Sequence, residues 1–504
     1  MRTRQKVPWL HMVVLVTILG LAGTALSDLA QSPWPTLHGN SRLSQAADLN
    51  GDGTPGPDGP NDRSGIEVVQ KWSKTGLGAC VGNVSIGTDG SLYYANDGKL
   101  RKIDPDDGDD LATPYPFPND VETPNQPMVT RESGADKIYV GVEGELYKFN
   151  TSLGVETNWP IDVVDTDQNP DQILLPTGGL VHSTQSDAVI FVGQGPWLNN
   201  GPSGTVLFAV SPSNGAILSE FNVGAEIIQV IGASDSDFDE PDEIAVINTP
   251  SIGPDPDSAG DELVYVLTLD HLLAVEFDTG SRTFASDWKW ITQITPPQSG
   301  SSPSVSPDGS RVYVTTGRDL IPFPPVNSRL ESYNTSDGSL EAYTVEMPGK
   351  VIASLVVDYD ADRGGNMIYA NVWNGPIYGF FETIGTGGGS DSFKCRWKTD
   401  ADYESTGANM GKAGKMLYSP FRITGDGTLQ GYAGGFDTSS AHLDCNGSLG
   451  CFAGTCSGAT PNWQISMGTL ALDGCTRSLG YEGGKAQVYF GTASKLFSFE
   501  ESEL

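Results

Sequence analysis

The chain has 504 residues, enough for one large all-β domain or for several smaller ones, and 29 Lys and Arg face 63 Asp and Glu for a formal charge of −34. That balance argues against nucleic acid and anionic membrane surfaces as partners, and it suits divalent cations or basic partners; solubility in a salty or calcium-rich medium is the plainer account of it. No stretch after the N-terminal segment is long and apolar enough for a transmembrane helix, so no membrane insertion is expected.

Residues 1–27 read as a secretory signal peptide. Arg2, Arg4 and Lys6 form a charged opening, the apolar run Met12 to Ala22 is too short to span a bilayer, and Ala25-Leu26-Ser27 is a small-residue cleavage site. No Cys follows it, so a lipid anchor is not expected and the chain should be secreted or periplasmic. Residues 28–65 form a Pro/Gly/Asp-rich lead-in. Within it Asp48, Asn50 and Asp52 open like an EF-hand loop. The twelfth position is Gly59 rather than Glu, and Pro55 and Pro57 argue against a flanking helix, which leaves a calcium-binding loop or a plain linker.

From Ile66 a unit recurs: an apolar strand, a small-residue turn that is often Asp-Gly, a strand of the form L-x-x-φ (φ apolar), a Gly turn and often a Trp. Clear copies are SIGTDGSLYYANDGKLRKIDPDDG, DKIYVGVEGELYKFNTSLGVETNW and SPSVSPDGSRVYVTTG with RLESYNTSDGSLEAY. The L-x-x-φ strands start near 100, 146, 206, 273, 330, 377 and 496, with room for an irregular, Cys-bearing copy at 403–466. Self-similarity at this period means an array or a propeller. The last copy has three strands, and IEVVQKW (Ile66–Trp72) would supply the fourth, hiding the open sheet edges. The expectation is an all-β, eight-bladed β-propeller over residues 66–504, closed by its N-terminal strand, with seven blades as the alternative count.

The stretch Val351 to Glu382 holds three such strands and a turn with chemistry in it. In DYDADRGGN, Asp358, Asp360 and Asp362 alternate and Asn366 follows at the ninth position, an order that can converge on one calcium ion. Asp235, Asp237, Asp239 and Glu243 repeat the order in DSDFDEPDE, and Asp165, Asp167, Asn169 and Asp171 do so one residue short. The sixth-position Gly is replaced by Arg363 in the first loop and Glu240 in the second, and the plain alternative is an acidic, solvated turn. Structural calcium is the cofactor expected.

Six Cys in an exported chain allow up to three disulfides; Cys445, Cys451 and Cys456 cluster, Cys80, Cys395 and Cys475 are far apart, and the connectivity is open. His38, His182, His271 and His442 are scattered, and no HExxH or G-x-S-x-G occurs, so no catalytic residue is singled out. Trp72, Trp159, Trp288, Trp290, Trp397 and Trp463 mostly fall where outer strands are expected, as packing between blades or, alternatively, as sugar-stacking rings.

The motifs DGSLYYANDGKLRKIDPDDG, GELYKFNTSLG and GTVLFAVSPSNG, with the lead-in WPTLHGN, resemble the pyrroloquinoline-quinone-like repeat of the quinoprotein alcohol dehydrogenase-like propellers, over roughly Trp34 to Glu500. The resemblance implies a propeller. Enzymes of that family bind the quinone over a calcium and commonly stack it against a disulfide of adjacent Cys, whereas non-enzymatic relatives hold other proteins. This chain has no adjacent Cys pair and no CxxCH, so pyrroloquinoline quinone is not an expected cofactor. SDSDFDEPDEIAV and VVDYDADRGGNMIYA resemble the calcium loops of integrin-type repeats. Together these readings point to a calcium-stabilised binding or scaffold module with a protein or glycan partner on a propeller face. The alternative is an enzyme on the same ring, quinone-dependent or polysaccharide-active.

Overall fold

Strand Glu262–Leu267 shows how this chain packs. Leu263, Tyr265 and Leu267 face one neighbouring sheet, Val264 and Val266 face the other, and all five are buried. A strand apolar on both faces must be sandwiched, and a ring of radial sheets sandwiches every one of its members. In the computed structural model the described residues are 28–29, 66–77, 84–118, 126–142, 144–163, 173–174, 179–194, 205–231, 249–268, 270–295, 301–317, 327–344, 346–351, 353–360, 364–383, 391–424, 430–438, 458–468, 477–482, 485–492 and 495–503.

They form eight antiparallel sheets of four or five strands, the blades of a β-propeller. Blades one to seven span 85–116, 128–162, 173–222, 251–293, 304–343, 356–398 and 403–466. Blade eight joins 477–503 to the N-terminal strand Ile66–Thr75, which pairs with Lys495–Glu503. The expected closure is therefore present. Asp28–Leu29 also pairs, antiparallel, with the first strand of blade two, Met128–Glu132. A nine-residue helix, Val223–Ile231, follows blade three; among the described residues no helix is long and apolar enough to cross a membrane.

The core is a set of layers between blades. Separate apolar clusters join blades one and two, two and three, three and four, four and five, five and six, and six and seven, and one cluster runs through blades seven, eight and one. A polar belt accompanies them near the axis. The Gly179 amide donates to Thr249 Oγ1 (2.6 Å), that of Thr249 to Ser302 Oγ (3.2 Å), that of Ser302 to Ser354 Oγ (3.1 Å), and that of Ser354 to Asn409 Oδ1 (2.8 Å). Blades four to seven thus each satisfy a backbone amide of the preceding blade.

Outer tryptophans tie the rim. Trp72 of blade eight donates to the Pro105 carbonyl of blade one, and Trp290 of blade four to the Thr335 carbonyl of blade five, both at 2.9 Å. Each indole lies on a turn glycine, Gly108 (φ +80°) or Gly338 (φ +68°), where a Cβ would come within 2.8 Å or 2.5 Å of the ring. Glycine is required twice over there, by backbone conformation and by the close approach. Trp159, Trp397 and Trp463 are also buried, whereas Trp288 is only partly so.

Candidate functional site

The direction of the strands defines two faces. Within each blade the first-to-second and third-to-fourth turns lie at one end, the hairpin face; the second-to-third turns and the connections between blades lie at the other, the crossover face.

Of the expected calcium ligands, Asp358, Asp360 and Asn366 are described. Asp362, Asp235, Asp237, Asp239, Glu243, Asp48, Asn50 and Asp52 lie outside the described residues. The hairpin of strands Val356–Asp360 and Gly365–Asn371 pairs Asp358 with Met367, Tyr359 with Asn366 and Asp360 with Gly365. Cross-strand partners share a sheet face and neighbours alternate, so Asn366 lies on the face opposite Asp358 and Asp360. The side chains agree. Asp358 reaches forward to Lys412 of blade seven (2.5 Å), whereas Asn366 reaches back to the Tyr313 hydroxyl of blade five (2.8 Å). Asn366 therefore does not join the two aspartates around one cation here. Asp358–Asn366 spans the first-to-second-strand hairpin of blade six; Asp235–Glu243 lies outside the described residues.

These positions recur in other blades. Every second strand carries a buried aromatic: Tyr93, Tyr139, Phe191, Tyr265, Tyr313, Tyr369, Tyr418 and Tyr489. Its inner-strand partner is Ser85, Met128, Ser251, Ser304 or Val356 in blades one, two, four, five and six. Four residues after that partner stands an acid: Asp89, Glu132, Asp255, Asp308 or Asp360. The fold uses several of them internally. Glu132 accepts from Tyr139 Oη (2.6 Å) and Lys148 (2.5 Å), Asp255 from Lys289 (2.5 Å), and Asp89 from Lys102 (3.1 Å). Three residues before the aromatic stand Asp136, Glu262 and Asn366. Asp136 accepts the Thr88 amide (2.7 Å) and hydroxyl (2.8 Å) of blade one, and Glu262 the Thr184 amide (2.7 Å) and Ser183 hydroxyl (2.6 Å) of blade three. Asn366 thus occupies a bracket position that holds a blade to its predecessor.

Blades five and six share a buried network at this end. Glu382, fully enclosed, accepts from Tyr313 Oη (2.5 Å) and Ser332 Oγ (2.6 Å), with Arg311 Nε at 3.7 Å. Arg311 in turn donates to Asp391 (2.8 Å). Burial, and then the Glu382 charge, push the Tyr313 phenol far up, so it donates at all working pH values. Lys412 is only 7% exposed; burial pulls its ammonium down, but the Asp358 charge beside it prevails and holds the pKa above the usual lysine range.

Glu331 sits near the crossover face, 2% exposed, with Tyr333 Oη at 2.5 Å. Burial pushes its carboxyl up to about 6, against the pull of Tyr333 and Arg329. The folded pKa exceeds the unfolded one, so this carboxyl's stabilising contribution is complete below about pH 4.5 and is lost as pH rises through 6. At pH 7 the cost is about 2 kcal/mol. Glu331→Gln is expected to raise stability by about 1–2 kcal/mol at pH 7 and to change little at pH 4. Urea midpoints at both pH values check this, and equal destabilisation at the two would contradict it.

Cys395 is buried in the outer strand of blade six; Cys80, Cys445, Cys451, Cys456 and Cys475, and the disulfides expected of them, lie outside the described residues. Among the described residues no three His, Cys, Asp or Glu side chains are grouped to hold a metal.

No protein-family model matches the chain, and no curated protein matches it in sequence. Its structure is similar to the quinohemoprotein alcohol dehydrogenase of Comamonas testosteroni, at 12% identity and a TM-score of 0.60, over 94% of this chain and 81% of that one. A more distant likeness is to the Dos1 propeller, at 10% identity and a TM-score of 0.49, over 86% of this chain and 96% of that one. The class defined is the eight-bladed β-propeller; at 12% identity the likeness is one of fold.

Proposed function

We propose that the chain is an exported binding or scaffold propeller, tied by calcium at its acidic loops, that holds a protein or glycan on one face. The observation that most favours binding is the division of polar groups. On the hairpin face Asp136, Glu262 and Glu382 are engaged in joining blades, whereas two of the three exposed aromatics among the described residues, Trp373 and Tyr343, stand on the crossover face; the third, Tyr359, is on the hairpin face. Exposed aromatic surface on a rigid frame marks an interaction site.

Calcium is assigned to the acidic stretch Asp235–Glu243 rather than to the blade-six hairpin. Lys412 already neutralises Asp358, and Asn366 is turned away. Asp235, Asp237, Asp239 and Glu243, with Asp48, Asn50 and Asp52, are the remaining candidates. The test is a thermal melt of residues 28–504 in millimolar calcium against chelator. A site filled at about 100 times its dissociation constant stabilises by about 2.7 kcal/mol, a rise of a few degrees in a domain of this size. Asp237→Ala should abolish the rise and Asp360→Ala should leave it. No rise would remove calcium from the proposal, and a rise lost only in Asp360→Ala would reverse the assignment.

A further inference from the structure

The two exposed aromatics of the crossover face stand in matching company on adjacent blades. In blade five, Tyr343 is 59% exposed and the Arg329 guanidinium lies 5.6 Å over its ring. Arg329 pairs with Glu346 (3.4 Å), whose other oxygen accepts from Asn327 (3.4 Å). In blade six, Trp373 is 39% exposed beside Asn374; the Asn374 side-chain oxygen accepts from Arg422, which pairs with Glu404 (3.2 Å). Each set is one aromatic, one Arg, one Glu and one Asn.

The second set is held rigidly. The Trp373 amide donates to the Lys350 carbonyl (2.7 Å) on the connection from blade five, which ties the two sets together. The Asn374 amide donates to Ser405 (2.9 Å), and the Ser405 amide to Gly375 (2.8 Å). Asn374 takes a left-handed φ of 55°, which asparagine tolerates well. A clamped turn presents its ring without an ordering cost on binding.

Charge narrows the ligand. On a molecule of net charge −34, each set is neutral, one Arg against one Glu. Neither presents a net charge of its own to an ionic ligand, and the charge of the whole molecule disfavours a polyanion. The first offers guanidinium and amide donors and a carboxylate acceptor next to a flat apolar face; the second gathers the same groups, with Arg422 and Glu404 supplied by blade seven, at the turn that presents Trp373. That combination matches a sugar ring, whose hydroxyls both donate and accept and whose C–H face is apolar. Two such platforms on neighbouring blades match a ligand that repeats.

We propose that Tyr343 and Trp373, with their Arg, Glu and Asn partners, are two subsites for one neutral polysaccharide chain running over the crossover face of blades five and six. This rests on the binding reading above and names its ligand class. The calcium melt reports on the acidic loops alone, so either proposal can fail without the other.

The experiment is native affinity electrophoresis of residues 28–504 through gels containing dextran, mannan or a soluble β-glucan, with polygalacturonate as the acidic comparison. At least one neutral polymer should retard the protein. Trp373→Ala and Tyr343→Ala should each weaken that retardation about tenfold, and the double variant should abolish it. Melting midpoints of the parent and the variants, measured alongside, separate a loss of retardation from a loss of folding. Unchanged mobility in every neutral gel, retardation by polygalacturonate alone, or retardation that survives the double substitution would overturn the proposal. Cross-linking of a protein partner at these two positions, with the gels unmoved, would overturn it in favour of a protein interface.

Discussion

Replacing Glu382 with alanine is expected to destabilise the protein by about 3–5 kcal/mol. The carboxylate is fully enclosed between blades five and six, and removing it strands Tyr313 Oη, Ser332 Oγ and the partly compensated charge of Arg311 together. Leaving buried partners unsatisfied costs more than the net worth of the bonds lost. Glu382→Gln keeps an acceptor but not the charge, and should cost about half as much. Urea unfolding of the parent and both variants measures this; a loss under about 1 kcal/mol for the alanine variant would mean that the site relaxes or admits water. Asn366→Asp is the companion that separates two readings of one residue. A calcium ligand would gain by becoming a carboxylate, and the melt would rise in calcium. A bracket residue beside Glu382 would instead place a second buried negative charge against the first, and the melt would fall with or without calcium.

That pair of outcomes also locates what could be read in the chain beforehand. The blade count was legible because the unit is local. Third strands begin at Lys99, Glu145, Val206, His271, Arg329, Ile377 and Lys495, each within two residues of the spacing read from the L-x-x-φ pattern. A meander needs only short turns and alternation, both written within about fifty residues. The destinations of Asp358 and Asn366 were not legible, because D-x-D at a strand end and D-x-D in a metal loop are the same letters. The pairing of Tyr359 with Asn366 decides between them, and it sends the two side chains to opposite blades. A sequence signal did exist in five blades, in the acid four residues after the inner-strand partner of the buried tyrosine. Asp89, Glu132, Asp255 and Asp308 share it with Asp360, which marks the position as part of the repeat rather than of one special loop. The two aromatic platforms were invisible for another reason. Arg422 and Asn374 are 48 positions apart and meet only because blade seven stands beside blade six.

Removing the strand Ile66–Thr75 should have the largest effect of any single change, because that strand closes the ring. It pairs with Lys495–Glu503 along its whole length, from Ile66 opposite Glu503 to Thr75 opposite Lys495, with one bulge between Gln70 and Trp72. It also reaches across to blade one. Trp72 donates to Pro105 and covers Gly108, Lys71 pairs with Asp106 (2.7 Å), and Lys74 donates to the Gly108 carbonyl (2.8 Å). One segment thus completes blade eight and seals the gap between blades eight and one. Without it, Lys495–Glu503 becomes an open edge, and Tyr489 and Phe499 lose the cover of Val68 and Trp72. A chain of residues 76–504 is expected to elute as oligomers or aggregate, and a synthetic peptide of residues 66–75 added during refolding should restore the monomer by strand addition. Trp72→Ala, a milder version, should cost about 3–5 kcal/mol. Trp72→Phe should lose mainly the bond to Pro105, about 1 kcal/mol. A truncated chain that stays monomeric with the parent's melting midpoint would show that the remaining seven blades hold the ring by themselves. That result would move the source of its stability from closure to the layers between blades.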